Sequence, residues 1–152
     1  MAAILYLRFG YVPVAVNGPV IPFEELLAGT AVQARIAREA PTKAGLPASE
    51  ENLVAGAKIY REHCVDCHGL PGGTPSAASK GMYPAPPQFF EQKVVGNEQV
   101  GQDYWIVANG IRLTGMPGYK PTLSDEQLWQ VSQFVLNRGT LPTAASAILE
   151  AK

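Results

Sequence analysis

The chain has 152 residues, of which 47% are hydrophobic and 16% are charged, and its formal net charge is −1. This balance excludes an intrinsically disordered chain, because it supplies enough apolar side chains for a buried core. It also excludes nucleic acid as an expected partner, since there is no excess of basic residues to neutralise phosphates.

Apolar residues open the chain in a short run, 2–7. The run is shorter than the roughly 7–15 residues of a signal-peptide core and the about 20 residues of a membrane span. We therefore expect neither a complete export signal nor a membrane span in the chain as given. We interpret the run as the end of a membrane anchor that continues upstream of residue 1.

One helix between two linkers is predicted for the rest of the N-terminal region. Pro13 and Pro19 forbid a regular helix in the first linker. Apolar residues then recur at helical spacing from Pro22, which suits the first helical position, as far as Pro41, which ends the pattern. We interpret residues 1–48 as an N-terminal extension, whose helix packs on the rest of the chain or docks on a partner or a membrane.

A separate domain of short helices is predicted over residues 49–140. Ser49 is a suitable N-cap for a helix that runs directly into the cysteines, and Gly56 within that helix predicts the close approach of another helix. A second helix is predicted over 103–109. Ser124 begins a third helix with the sequence of a capping box.

The remaining stretches of this region are predicted to be irregular. Residues 69–101 are rich in proline and glycine, and a loop of this length is expected to be functional or disordered. The stretch 110–122 is interpreted in the same way, and residues 141–152 as a C-terminal tail. No segment has the alternation of a strand, so the predicted fold class is all-α.

Both cysteines and both histidines of the chain lie within residues 63–68. The sequence CVDCH, residues 64–68, has the form C-x-x-C-H, which is the attachment signature of a c-type haem. Thiols at positions i and i+3 lie on the same side of a helical turn, so Cys64 and Cys67 can form thioethers with the two vinyl groups of one porphyrin. His68 is then predicted to be the proximal ligand of the iron.

Three other interpretations of the motif are open: a zinc site, a thioredoxin-like redox pair, and chance. Structural zinc sites usually take two ligand pairs separated by a longer segment. A redox C-x-x-C is expected in a βαβ context, which the sequence does not predict. A disulfide between neighbours this close would close too small a loop to stabilise the chain. His63 is interpreted as a surface histidine.

The haem also requires a sixth ligand or an open position, and two methionines are candidates. Met116 lies in TGMPGY, where glycines and a proline predict a rigid turn that can present a thioether sulfur. Met82, in KGMYP, is the rival. A methionine ligand leaves the iron six-coordinate and raises its potential, whereas an open or displaceable site is typical of a haem enzyme or gas sensor.

Residues 49–139 resemble a class I c-type cytochrome, of the small monohaem bacterial kind. The sequence AGAKIYREHCVDCHG resembles the N-terminal helix of that family, YWIVANGIRLTGMPGY its helix and methionine loop, and LSDEQLWQVSQFV its C-terminal helix. In this comparison Gly56 and Tyr60 lie at the helix crossing and are expected to meet Val131 and Phe134. The N-terminal extension resembles only that of some membrane-tethered bacterial cytochromes.

The resemblance implies a cytochrome c fold of about three to five helices around one covalent haem, with an extra N-terminal helix. It implies axial ligation by His68 and Met116. It also implies that a proline carbonyl accepts the Nδ1–H of His68, with Pro71 as the first candidate and Pro75 as the second. Further residues are expected at the pocket: Trp105, Ile106, Leu113 and Tyr119. Arg112 is expected either to pair with a propionate or to be exposed.

The function implied by the resemblance is single-electron transfer, not enzymatic catalysis. The expected partners are redox proteins, namely a membrane oxidoreductase, an oxidase or a reductase. Because bacterial c-type haem is attached outside the cytoplasmic membrane, we expect a periplasmic protein with a membrane tether. Two alternatives stay open: a haem enzyme or gas sensor with a displaceable methionine, and a haem module fixed in a larger complex with residues 1–48 as its docking arm.

Overall fold

A computed structural model describes residues 2–91 and 99–151, and these residues form eight helices and no strand. The prediction of an all-α chain is therefore confirmed. In chain order the helices are α1 (Ala2–Arg8), α2 (Glu24–Glu39), α3 (Glu50–His63), α4 (Val65–His68), α5 (Ala77–Lys80), α6 (Val100–Asn109), α7 (Asp125–Leu136) and α8 (Thr143–Glu150).

The centre of the fold is the crossing of α3 and α7. Ser49 caps α3, since its Oγ accepts a hydrogen bond of 3.3 Å from the backbone N–H of Asn52. A Cβ added to Gly56 would lie 2.2 Å from the carbonyl oxygen of Gln130, so the helices meet at this glycine as predicted. Tyr60 and Phe134 are fully buried beside the crossing, with ring centroids 5.1 Å apart.

Helices α6 and α7 pack together on one side of this crossing. The predicted capping box of α7 is present, with Ser124 Oγ accepting from the Gln127 N–H and the Gln127 side chain accepting from the Ser124 N–H. Helix α6 begins three residues earlier than predicted. Its first turn carries the buried Gly101, where a Cβ would lie 1.8 Å from the carbonyl oxygen of Pro41. That close approach is a tertiary contact, which a local pattern does not contain.

The predicted C-terminal tail forms α8 and packs against α3. Ala145 and Leu149 are buried in the core that α3 and α7 share. The guanidinium of Arg61 donates hydrogen bonds of 2.6 and 3.2 Å to the carbonyls of Ile148 and Leu149. The segment 141–152 is thus tied to the helix that leads into the cysteines.

The N-terminal extension contains two helices, of which only α2 was predicted. Helix α2 follows a turn in which Phe23 has a φ of +66° and the Glu24 N–H donates to the Ile21 carbonyl. The helix buries Ile36. Its last turn reaches α6, where the indole Nε1–H of Trp105 donates to a Glu39 carboxylate oxygen at 3.2 Å.

Apolar side chains are exposed along the part of the extension that precedes this contact. They include Ile4, Leu5, Tyr6, Leu7, Phe9, Tyr11, Val14, Val16, Val20, Phe23, Leu26 and Leu27. Among the residues that the structure describes, no helix combines the length and the hydropathy needed to cross a membrane.

Candidate functional site

An apolar pocket opens where α4 faces the loops 82–87 and 111–119. It holds about 690 Å³ of empty space when the open solvent at its mouth is included, and its cavity volume is about 120 Å³. The residues that can attach or ligate a haem lie at this pocket, because it is lined by both histidines, both cysteines and two of the three methionines. His63, predicted to be a surface histidine, is exposed and also lines the pocket.

The CVDCH sequence folds as one helical turn at the end of α3. Cys64 is the C-cap of α3, and its N–H donates to the carbonyl of Tyr60 at 2.8 Å. The N–H groups of Cys67 and His68 then donate to the carbonyl of Cys64 at 3.2 and 2.9 Å. This turn brings both thiols and the imidazole to one pocket, as the spacing predicts.

The pocket favours neutral forms of these groups. Burial, with a smaller contribution from Cys67, raises the pKa of the Cys64 thiol to about 12, so the thiol is protonated at neutral pH. Burial also lowers the pKa of His68, against the opposing effect of its backbone hydrogen bond. A neutral imidazole is the form that ligates a metal, and neutral thioethers suit this environment better than thiolate ligands.

The carbonyl that accepts from His68 belongs to Pro87, with Nδ1 and the oxygen 2.9 Å apart. Because a carbonyl can only accept, Nδ1 carries the proton and Nε2 is left with its lone pair for a metal. The choice of Pro71, with Pro75 second, was wrong. Pro71 lies in an exposed turn that the Gly73 N–H closes on the Leu70 carbonyl.

The loop that carries Pro87 returns to α4 through several hydrogen bonds. The Gln88 side-chain amide donates to the carbonyl of Cys67 at 2.9 Å and to Ser79 Oγ at 3.0 Å. The Phe89 N–H donates to the carbonyl of His68 at 3.2 Å. These long-range contacts select the proline, and neither Gln88 nor Phe89 was among the predicted site residues.

Met116 is held in a tight turn, as TGMPGY predicts. Its N–H donates to Thr114 Oγ1 at 3.2 Å, and its carbonyl accepts from the Ile111 N–H at 3.2 Å. Met82 lines the same pocket, and its sulfur lies against Gly115, where an added Cβ would be only 2.8 Å away. The structure therefore brings both candidate sulfurs to the site, and the choice of Met116 stays a prediction.

Of the other predicted pocket residues, only Tyr119 lines the pocket, and its hydroxyl donates to the carbonyl of His63 at 2.9 Å. Trp105 is turned towards α2 by its hydrogen bond to Glu39. Helix α6 presents Val107 to the pocket instead.

Two of the remaining three side chains differ from their expected placement. Ile106 is half-buried but does not line the pocket, and Leu113 is 94% exposed at a φ of +64°. Ile106 lies on α6, which presents Val107 to the pocket, and the positive φ of Leu113 turns that side chain away from it. Arg112 is exposed, and its pairing with a propionate stays a prediction.

The residues present fit a covalently attached haem. The two thiols lie on one helical turn, and the His68 imidazole carries its proton on the nitrogen that is hydrogen-bonded to the Pro87 carbonyl. Two methionine thioethers line the same apolar pocket. Together with the crossing of α3 and α7, this site defines a class I c-type cytochrome.

Residues 51–135 match the family described as cytochrome C oxidase, cbb3-type, subunit III. Because the match covers more than half of the chain, the chain belongs to this family of c-type cytochrome domains. The family implies haem-based electron transfer and a covalently bound c-type haem, for which the chain provides Cys64 and Cys67 in C-x-x-C-H.

Two further proteins are similar to this chain. Thiosulfate dehydrogenase of Allochromatium vinosum is 36% identical over 89 residues, which is 57% of this chain and 32% of that enzyme. A chain of the reducing HAO-like protein complex of Kuenenia stuttgartiensis matches with a TM-score of 0.52 and 28% identity, over 65% of this chain and 50% of that one. The chain thus spans about a third of the first relative and half of the second.

Proposed function

We propose that this chain carries single electrons on one haem whose iron is ligated by His68 and Met116. The observation that carries the proposal is the convergence of one C-x-x-C-H turn and a rigid methionine turn on one apolar pocket. When bound, haem c supplies a reversible one-electron couple, and a methionine ligand raises its potential.

The residues of the chain have distinct tasks in this function. Cys64 and Cys67 hold the porphyrin from one helical turn. His68 is oriented by its hydrogen bond to Pro87, which also increases its donor strength. The turn around Met116 keeps a sulfur at a fixed place, so that little rearrangement accompanies a change of oxidation state.

We propose an electron carrier and not an enzyme. Electron transfer requires no side chain to move a proton or to attack a substrate, and the pocket walls are apolar. The similarity to thiosulfate dehydrogenase covers only 32% of that enzyme. The haem enzyme or gas sensor with a displaceable methionine is the alternative that the first experiment must separate.

The proposed partners are redox proteins: a membrane oxidoreductase, an oxidase or a reductase. Two similarities support this choice, since the family is described as a subunit of an oxidase and the structural neighbour belongs to a protein complex. The nearly neutral chain favours docking with weak electrostatic steering.

We further propose that the protein is periplasmic and attached to the membrane through its N-terminal extension. Helix α1 exposes apolar side chains around its circumference, including Ile4, Leu5, Tyr6 and Leu7. A protein partner would cover one face of such a helix, whereas a lipid surface can surround it. Arg8 is the only charged residue among residues 1–23.

The absorption spectrum of the purified holoprotein tests the proposed chemistry. We expect sharp α and β bands on reduction, a weak far-red sulfur-to-iron band on oxidation, and no spectral change when carbon monoxide is added to the reduced form. A ready carbon monoxide shift would instead support the haem enzyme or sensor.

Vesicle flotation and cell fractionation test the proposed location. The full chain is expected to float with zwitterionic vesicles, and the double variant Ile4→Ser/Leu7→Ser to float less. In cells the haem-loaded chain is expected with the periplasmic or membrane fraction. Equal flotation of the two proteins, or haem-loaded chain in the cytoplasm, would contradict this part of the proposal.

A further inference from the structure

The imidazole of His68 is stacked face to face on the ring of Phe89. The two ring centroids are 4.4 Å apart and the planes differ by 9°. Backbone contacts hold the pair together, since the Phe89 N–H donates to the His68 carbonyl and the preceding Pro87 carbonyl accepts from His68 Nδ1. The aromatic ring therefore lies against one whole face of the proposed iron ligand.

A second neighbour of Phe89 is the guanidinium of Arg138. Its central carbon lies 5.4 Å from the centroid of the Phe89 ring, within the range of a cation–π contact. Two hydrogen bonds fix it there: Nε donates to the Phe89 carbonyl at 3.0 Å, and Nη1 donates to the Val135 carbonyl at 2.7 Å. Phe89 thus contacts both Arg138, which follows the end of α7, and His68 in the haem-attachment turn.

A hydrogen bond at Nδ1 alone does not fix the plane of an imidazole. The ring can still turn about the direction from Nδ1 to its acceptor. A flat ring stacked on one face restricts that rotation, because turning the imidazole would break a close parallel contact. The orientation of a histidine ligand by its neighbours in turn affects the electronic state of the metal.

We propose that Phe89 and Arg138 are positioning residues, which set the rotational orientation of the His68 imidazole and raise the reduction potential of the bound haem. The inference rests on the proposed function, since it requires His68 to ligate the iron. Phe89 supplies the orientation. Arg138 holds Phe89 in place and adds a positive charge.

The sign of the charge effect follows from the charges of the two oxidation states. Reduction of ferric to ferrous iron lowers the positive charge of the centre by one. A nearby cation repels the ferric form more strongly and therefore favours the ferrous form. Arg138 is half-buried, so salt screens this interaction less than it screens a charge in open solvent.

The test compares holoprotein variants by electron paramagnetic resonance of the ferric haem and by redox titration. Phe89→Leu is expected to change the g-values, which report the orientation of the axial ligand planes, while Phe89→Tyr, which keeps the ring, restores them. Arg138→Gln is expected to lower the reduction potential, and Arg138→Lys, which keeps the charge, to lower it less. Lys58→Gln is the control, because it removes one positive charge from an exposed position of α3.

Unchanged g-values in Phe89→Leu would overturn the role of Phe89. If the reduction potential of Arg138→Gln is no lower than that of Lys58→Gln, the role of Arg138 is overturned. This comparison decides the proposal if Phe89→Leu does not yield holoprotein. The proposed function fails separately: in that case the unaltered chain lacks covalent haem, or its spectrum shows no histidine-ligated low-spin iron.

Discussion

Gly56 lies directly against the backbone of Gln130, where α3 crosses α7. A Cβ built on Gly56 would be 2.2 Å from the Gln130 carbonyl oxygen and 2.7 Å from the Cβ of Phe134. The obstacle is backbone and not the end of a flexible side chain, so the two helices must separate to admit even a methyl group. The haem-attachment turn follows directly at the end of α3, which makes this crossing part of the support of the site.

Gly56→Ala is therefore expected to destabilise the protein. Overpacking of a core typically costs about 1–3 kcal/mol, and the backbone contact here places the expected loss of unfolding free energy at the upper end, about 3 kcal/mol. Chemical denaturation of the holoprotein measures it. Gly29→Ala is the matched control, because an added Cβ in α2 meets nothing within 4 Å; it is expected to stabilise by about 0.5–1 kcal/mol.

Arg61 is expected to anchor α8 to α3. Its Nη1 donates to two backbone carbonyls near the end of α8, and a hydrogen bond that involves a charged group makes a net contribution of about 1.5–3 kcal/mol. Arg61→Ala should lower the free energy of unfolding by about 2 kcal/mol, and Arg61→Lys by less.

The control for Arg61 is Arg35→Ala, which removes an arginine from an exposed ion pair. Arg35 Nη2 and Glu39 Oε1 are 2.7 Å apart on the surface of α2, and such exposed pairs contribute about 0.3–0.5 kcal/mol to stability. Equal losses in the two variants would contradict a specific role for Arg61. Increased hydrogen exchange confined to α8 in Arg61→Ala would support that role.

Local signals in the sequence predicted the parts of the fold that depend on neighbouring residues. Ser49 and Ser124 cap helices through residues three positions away, and Gly56 marked the crossing because a glycine inside a helix is costly without a packing reason. The C-x-x-C-H turn is equally local. These features are therefore readable from the sequence alone.

The features that were missed depend on contacts between distant parts of the chain. Pro87 replaced Pro71 because the loop returns to α4 through hydrogen bonds of Gln88, a contact across 21 residues. Trp105 turned to α2 because Glu39 supplies an acceptor. Helix α8 had a local signal in the apolar spacing of its residues, but that segment was interpreted as a tail.

Removal of each methionine should separate the two candidate ligands. Met116→Ala is expected to abolish the far-red sulfur-to-iron band and to let the reduced protein bind carbon monoxide, because the sixth position opens. Met82→Ala is expected to keep the band, since its sulfur lies against Gly115 in the wall of the pocket. Absorption spectra of both holoproteins measure this, and the reverse pattern would identify Met82 as the ligand.

Tyr104 is expected to make stability depend on pH in the alkaline range. Its hydroxyl donates to the carboxylate of Asp125, and this hydrogen bond, with burial second, raises the pKa of Tyr104 to about 12. In the unfolded chain a tyrosine ionises near pH 10. Between these values the unfolded state loses its proton first, so the contribution of Tyr104 is complete below about pH 10 and is lost as the pH rises to about 12.

Tyr104→Phe should therefore be less stable than the unaltered protein at neutral pH, by about 1 kcal/mol or less because the site is partly exposed to solvent. The difference should shrink as the pH rises through the window from about 10 to about 12. Chemical denaturation of both proteins at a series of pH values measures this difference in unfolding free energy. The titration of groups that both proteins share cancels in the difference. Asp125→Asn is the companion variant: without the carboxylate, the phenolate of Tyr104 should form at lower pH, as followed by its ultraviolet absorbance. A difference that stays constant across the window would contradict the assignment.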